Sequence, residues 1–236
     1  MKYRKMVEGR FVNRPNRFIA YCEINGQMEK CHVCNTGRCK ELLVPDARVF
    51  LAESDNPNRA TKYDLMVVDK VQEDGSILRV NMDSYAPNRV VGEWLQEGGL
   101  YSDMLLVKPE QKYGNSRFDF YFEHGEAEHP KKCFMEVKGV TLEEKGVVRF
   151  PDAPTERGVK HVEELCQCMK EGYEAYLVFV VQMSGMKHFE PNNVTHAAFG
   201  EALSKAKKAG VQIRAMECEV TEDSLQIVRE IPCVIE

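Results

Sequence analysis

Two stretches that alternate with period two, joined by a polar connector, constrain this chain more than any other feature. Ser116-Arg-Phe-Asp-Phe-Tyr-Phe-Glu123 and Cys133-Phe-Met-Glu-Val-Lys-Gly139 both read as half-buried strands. The connector, His124 to Lys132, holds Gly125 and Pro130 and suits a hairpin loop. Alternation predicts Phe118, Phe120 and Phe122 on one face, leaving Asp119 on the other. It also puts Glu136 and Lys138 on a shared face. An antiparallel pairing then brings Asp119, Glu136 and Lys138 to one patch. Two carboxylates offer a divalent metal the hard oxygens it prefers, and magnesium keeps several waters beside so few ligands. Such an ion stabilises charge on a phosphodiester and acidifies a bound water, and a neighbouring ammonium orients that water. As a bare string, Asp…Glu-x-Lys fits a solvated strand face with an ion pair equally well. The surrounding elements have to decide.

Upstream, from Met6 to about Ser84, short apolar runs recur every 8–12 positions between turn residues such as Asn25-Gly26, Asn56-Pro57 and Asp74-Gly75. Five or six short strands without a helical period predict a small closed barrel, OB-like first of all. Such barrels bind single strands through basic loops and stacked aromatics. Arg10, Arg14 and Arg17 with Phe11, Phe18 and Tyr21 are the candidates here, Phe18 being equally suited to the core. Asn35-Thr-Gly-Arg38 reads as a tight turn with Gly37 free to take positive φ and Arg38 facing a phosphate. Cys31, Cys34 and Cys39 with His32 invite a zinc reading, but His32 alternates away from Cys31, and plain thiols fit better.

Charge supports the division. Residues 1–84 carry 14 Lys and Arg against 12 Asp and Glu, whereas residues 85–236 carry 18 against 25. A basic nucleic-acid-contacting module joined to an acidic, metal-using one fits that asymmetry. No apolar run reaches membrane-spanning length, and no apolar signal core follows Met1-Lys-Tyr-Arg-Lys5, so a cytoplasmic protein with reduced thiols is expected.

Downstream, Asn88 after Pro87 predicts an N-cap for a helix over Arg89–Gln96, from which Glu93 would reach a metal on the sheet. After the hairpin, Gly146 to Phe150 reads as a third strand. Thr155 caps a helix to Glu171, with Arg157, Lys160, His161 and Glu164 on one polar face. Tyr176 to Val181 suits a buried central strand, and a helix to Ala209 and a strand to Val220 follow. Helix, three strands, helix, strand is the order of the restriction-endonuclease-like, PD-(D/E)xK, core. The expected class is therefore α/β with an all-β N-terminal domain: an OB-like five-stranded barrel over 1–84, then a restriction-endonuclease-like αβββαβ domain over 85–236.

Three segments carry a family resemblance: Asn35-Thr-Gly-Arg38 with Leu42-Leu-Val-Pro45; Tyr113-Gly-Asn-Ser-Arg-Phe-Asp-Phe120 with Glu136-Val-Lys-Gly-Val-Thr-Leu142; and Phe150-Pro-Asp-Ala-Pro-Thr-Glu-Arg-Gly-Val-Lys-His161. Over nearly its whole length the chain resembles the sugar fermentation stimulation proteins. That resemblance implies an OB domain, a nuclease-like domain, DNA binding and a link to regulation of sugar (maltose) utilisation. It also adds Glu110 as a further acidic member. No helix-turn-helix is evident, so DNA binding would run through phosphates and not through sequence. The alternative is an active nuclease dependent on Mg2+ (or Mn2+) that cleaves DNA or RNA, with Asp119 and Glu136 on the metal and Lys138 on the water. In that case Arg117, Arg157, Lys160 and His161 would contact phosphates. A sugar sensor is a third reading that no residue asks for.

Overall fold

Short β-branched and aromatic runs leave apolar faces that an open sheet cannot bury, and closing the sheet on itself removes its edges. In the computed structural model, which describes residues 1–35, 37–114 and 116–236, the first five of six strands do this. The six are β1 (Met6–Asn16), β2 (Ile19–Ile24), β3 (Gln27–Val33), β4 (Arg48–Glu53), β5 (Tyr63–Val71) and β6 (Ile77–Asn81). Their order is β3-β2-β1-β4-β5-β6, and a parallel β3–β5 pairing closes the first five into a barrel. The Asn25-Gly26 turn joins β2 to β3 with both residues at positive φ, 51° and 74°, as a two-residue hairpin turn requires. The sixth strand, antiparallel to β5, lies outside the expected five and leads the chain out of the barrel.

The second part contains α1 (Ala86–Gln96), β7 (Met104–Tyr113), β8 (Ser116–His124), β9 (Lys131–Val140), β10 (Leu142–Glu144), β11 (Val147–Phe150) and α2 (Glu156–Lys170). It continues with β12 (Glu174–Val181), β13 (His188–Pro191), α3 (Asn193–Ala209), β14 (Gln212–Val220) and β15 (Leu225–Ile231). The main sheet runs β15-β14-β12-β9-β8-β7, with β9, β12 and β14 parallel to one another. The αβββαβ order holds, but with different members. Its first strand is β7, which the sequence reading missed. The expected third strand, Gly146–Phe150, instead sits as β11 in a small sheet with β10 and β13. Pro109 and a polar second half hide β7, and only an edge strand tolerates them.

Asn88 does not cap α1. The helix begins two residues earlier, with Pro87 in its first turn, where a missing N–H costs nothing. Thr155 does cap α2: its hydroxyl accepts the Gly158 N–H at 3.0 Å. Gly210, at φ +95°, closes α3, as its position in sequence implies. One core packs α1 against a sheet face carrying Phe120, Phe122, Met135, Val137 and Tyr176. The other packs α2 and α3 against the opposite face and continues into the barrel interior around Phe11, Val49 and Leu65. Among the described residues, no helix is long and apolar enough to cross a membrane.

A buried polar knot joins barrel to sheet. Gln182 Nε2 donates to the Asn81 carbonyl (3.1 Å), Asn81 Oδ1 (2.9 Å) and the Asp83 carbonyl (3.0 Å). Asn81 in turn donates to the Tyr3 hydroxyl, which donates to Asp83. Replacing Gln182 by Leu keeps the volume but strands these acceptors away from water. It is expected to lower stability by about 3 kcal/mol in urea unfolding, and a loss under about 0.5 kcal/mol would show that the knot contributes no more than a surface contact.

Candidate metal and nucleic-acid site

Alternation fails at Asp119, and the failure builds the site. Phe120 and Phe122 lie in the core beneath α1, whereas Phe118 lies on the other side with Phe134, Tyr113 and Tyr121. The expectation that the three phenylalanines share a face is therefore wrong. The β8–β9 ladder stops at Phe120–Met135. Beyond it, the Val137 N–H donates at 2.7 Å to Asp119 Oδ2. On the β7 side, Glu110 lies opposite Asp119, between the pairs Pro109–Phe120 and Gln111–Phe118, at a φ of +56°. Both strands depart from regular pleating at one point, and Asp119 turns its carboxylate toward β9.

Asp119 Oδ1 accepts from Asn88 Nδ2 at 2.7 Å. Asn88 thus serves the site instead of the helix end, a role that its sequence position after Pro87 disguised. Glu136 is 3% exposed and points toward α2. Its Oε1 accepts from Lys138 Nζ at 2.5 Å and from His161 Nδ1. The His161 Nε2 accepts from Arg157 Nε at 3.3 Å, so Nδ1 carries the proton that Glu136 receives. Glu136 Oε2 is buried and has no hydrogen-bond partner among the described residues.

The electrostatics set the two acids apart. Burial, and then the Glu136 charge beside it, push the Asp119 carboxyl above the usual carboxylate range against the Val137 and Asn88 hydrogen bonds. Burial also pushes Glu136 up, but the His161 hydrogen bond and the Lys138 charge and hydrogen bond outweigh it and hold that carboxyl below the usual range. Two carboxylates converge beside one ammonium, and an unpartnered buried oxygen remains among them. A hard divalent cation fits this donor set.

Other expected site residues fall elsewhere. Glu93 faces away and pairs with the Met1 ammonium at 2.7 Å. The Glu110 carboxylate is exposed and pairs with Arg117 at 2.7 Å. His161, expected on an exposed phosphate-facing stripe, is 6% exposed and engaged with Glu136. Arg117, Arg157 and Lys160 are exposed. The Lys160 ammonium lies 3.6 Å from Glu164, which accepts from Ser116 Oγ.

On the barrel, Arg14 is no phosphate contact. Its guanidinium donates to the carbonyls of Asn35 (2.6 Å), Gly37 (2.8 Å), Arg38 (3.0 Å) and Arg17 (2.7 Å). One side chain thereby brings the exposed Arg17 and Arg38 together, with Phe18 52% exposed next to Arg17. Phe11 is core at 3% exposure, Tyr21 is half-buried, and Arg10 binds the Asp46 carbonyl. Thr36 of the expected turn lies outside the described residues. Gly37 N donates to Asn35 Oδ1 at 2.7 Å, and a Cβ at Gly37 would meet Asp152 Oδ2 at 2.6 Å. Close approach of the second part explains the glycine. Cys31 and Cys39 are buried, and Cys34 sits with His32 and Asp64. Arg59 already holds both Asp64 oxygens at 2.6 Å.

Two family models match the chain: the sugar fermentation stimulation protein RE domain over residues 85–224 and the SfsA N-terminal OB domain over residues 12–77. A sugar fermentation stimulation protein homolog of Clostridium beijerinckii is 57% identical, covering 96% of each chain. One from Desulfitobacterium hafniense is 56% identical over 96% of this chain and 95% of its own. The solved structure of Pyrococcus furiosus SfsA in complex with Ca2+ superposes with a TM-score of 0.84 at 24% identity, covering 100% of this chain and 98% of that one.

The shifted carboxyls predict a pH signature. Asp119 titrates higher folded than unfolded, so its contribution to stability falls as pH rises from the unfolded value through the folded one. Asp119→Asn is expected to raise the urea midpoint at neutral pH, with Asn88 turning its amide oxygen to the new amide. The gain should vanish at acid pH, where the wild-type carboxyl is itself protonated. A gain independent of pH would mean that charge is not its source.

Proposed function

Because the chain belongs to the sugar fermentation stimulation protein (SfsA) family, whose name records a phenotype and not a reaction, we propose its function from the site: metal-dependent hydrolysis of phosphodiester bonds in nucleic acid. The observation that carries this reading is the buried Glu136 carboxylate, bonded to Lys138 through Oε1 with Oε2 unpartnered among the described residues, and near enough to Asp119 for its charge to raise that carboxyl. Asp119 and Glu136 would hold Mg2+ (or Mn2+), which supplies Lewis-acid stabilisation of the phosphate and an acidified water. The Pyrococcus furiosus relative was solved with Ca2+, another hard oxygen-seeking ion.

The protein's own groups do the rest. Glu136 is kept ionised by His161 and Lys138, whose hydrogen bonds also fix its rotamer. Lys138, 16% exposed, keeps its ammonium at the carboxylate pair, where it orients a water and offsets charge building on the phosphate. Arg157 holds His161 in the tautomer that serves Glu136. Exposed Arg117 and Lys160 at the rim offer contacts to flanking phosphates.

The test incubates the purified protein with single- and double-stranded DNA and RNA in Mg2+ or Mn2+. Cleavage of at least one substrate is expected, abolished by chelator and lowered about 100-fold or more in Lys138→Ala and Glu136→Gln. Cleavage that survives unchanged in both variants would come from a contaminant, and no cleavage of any substrate would end the catalytic reading.

A second reading has its own support: non-sequence-specific DNA binding by the barrel, tied to sugar utilisation through the family's name and needing no catalysis. It rests on the exposed side chains of Arg17, Phe18 and Arg38, carried by two segments whose backbone Arg14 ties together, residue types that suit a single strand. Binding of a single-stranded oligonucleotide should weaken steeply with salt. Replacing Arg17 and Arg38 together by Ala should flatten the log–log slope by roughly 1.4, about 0.7 for each lost phosphate contact. An unchanged slope would place the strand elsewhere.

A further inference from the structure

Where β8 ends and β9 and β12 begin, three side chains of metal-ligating type meet on the sheet face beneath α1, away from Glu136. His124 closes β8, Cys133 lies near the start of β9, and Glu174 opens β12. Register brings them near. Cys133 pairs with Glu174 across β9–β12 and with Phe122 across β8–β9, and His124, two residues beyond Phe122 on the same face and opposite Lys131, is the diagonal neighbour of Cys133. Cys133 and Glu136 are an odd number of residues apart and point to opposite faces, which separates this cluster from the Asp119–Glu136 pair.

The separations suit a shared ion better than they suit hydrogen bonds. His124 Nε2 lies 3.3 Å and Cys133 Sγ 3.8 Å from the same Glu174 Oε2. Both contacts are long for hydrogen bonds. Ligands on one tetrahedral zinc, with bonds of about 2.0–2.3 Å, stand about 3.3–3.6 Å apart. The ligand atoms of all three lie within 4.8 Å of one another.

Outer contacts brace the set as they do around known zinc ligands. The Tyr101 ring stacks on the His124 imidazole at 3.7 Å, nearly parallel. Asp103 Oδ1 lies 3.8 Å from His124 Nδ1, on the side away from Glu174. The Tyr176 hydroxyl donates to Glu174 Oε2 at 2.9 Å and lies 2.7 Å from the Tyr101 hydroxyl. His124 and Cys133 are buried, but the Glu174 side chain is 34% exposed, which gives an ion an entry. One group opposes a cation: Lys131 Nζ stands 3.3 Å from the other Glu174 oxygen, on a side chain 64% exposed and free to leave. The other mixed cluster, His32, Cys34 and Asp64, lacks this freedom because Arg59 occupies both carboxylate oxygens.

The geometry points to a zinc-type transition-metal site formed by His124, Cys133 and Glu174, with the fourth position left to water. A soft sulfur beside nitrogen and oxygen selects zinc or cobalt over magnesium, so the two metal chemistries of the chain do not compete. Binding takes the proton from the Cys133 thiol and crosslinks three adjacent strands.

The experiment titrates the metal-stripped, reduced full-length protein with Co2+ and follows the ultraviolet thiolate-to-cobalt charge-transfer band, then displaces the ion with Zn2+. One Co2+ per chain with that band is expected. The band should be lost in Cys133→Ala and the affinity reduced in Glu174→Gln, a change at a half-exposed position that leaves the fold intact. Asp103→Ala should weaken binding about tenfold, and Lys131→Ala should tighten it about fivefold, an effect that a purely structural role for these residues would not produce. Cys34→Ser should leave the band unchanged. A wild-type protein without the band overturns the proposal, as does a folded Cys133→Ala that keeps it or a loss of the band in Cys34→Ser.

Discussion

The hydrogen bond from the Val137 amide to the Asp119 carboxylate is the constraint from which the candidate site follows. Up to Phe120–Met135 the two strands satisfy each other's backbone. One residue further, a side chain takes over the acceptor role that a carbonyl would have filled. The carboxylate must then lie toward β9, which delivers it to the neighbourhood of Glu136, and Phe118 must fall on the opposite face from Phe120. That face change gives Phe118 its place against Phe134 and, edge-on at 6.4 Å, against His161. Core packing beneath α2 and the placing of Asp119 are thus one event, because a strand that re-aims a carboxylate also re-aims its neighbours.

Burying Glu136 is costly unless its charge is answered, and the answer here is lopsided. Both donors, Lys138 and His161, serve Oε1, while Oε2 is left buried and bare. A fold selected for stability alone would have divided them, since an unsatisfied buried oxygen costs about 1–3 kcal/mol. Burial and the neighbouring Glu136 charge raise Asp119, whereas His161 and Lys138 outweigh burial and lower Glu136, so the pair holds one firmly ionised carboxylate and one that keeps its proton more tightly. Such splitting of adjacent acids is characteristic of functional sites, where a partner from solution completes the set.

Much of this was legible in the sequence, for identifiable reasons. Period-two hydrophobicity located β8 and β9, a continuous apolar run marked β12 as the buried centre, and Thr155 and Gly210 set helix ends through local chemistry that neighbours do not override. What escaped was long-range. Nothing local says that Asn88 will face Asp119, or that β7, with its proline and lysines, will pair at the sheet edge. The polar stripe on α2 was read correctly as a stripe, but a helix turned toward a charged pocket buries the polar residue that meets it, and His161 did so. Glu93 failed for the opposite reason. Helical phase placed it outward, and only the tertiary position of the N-terminus shows that its partner is an ammonium and not a metal.

Arg14 shows how a residue can serve a binding surface without touching a ligand. Its four carbonyl acceptors come from two segments that sequence separates by about twenty residues, and a guanidinium's fixed fork suits such a gathering better than a flexible ammonium would. The gathered loop packs against Asp152 and lines, with Ser84, Gly139, Thr141 and Gln182, a crevice of 170 Å³ between barrel and sheet. Gly139 follows Lys138 directly on β9 and admits no side chain, because a Cβ there would stand 2.5 Å from Gln182 Oε1 and 2.8 Å from Pro87. The strand that carries Glu136 and Lys138 is therefore the same one that clamps the barrel in place, through Gln182 and the knot it makes with Asn81 and Asp83. The barrel's exposed cations and the carboxylate pair are held in one frame by contacts that leave neither free to reorient alone.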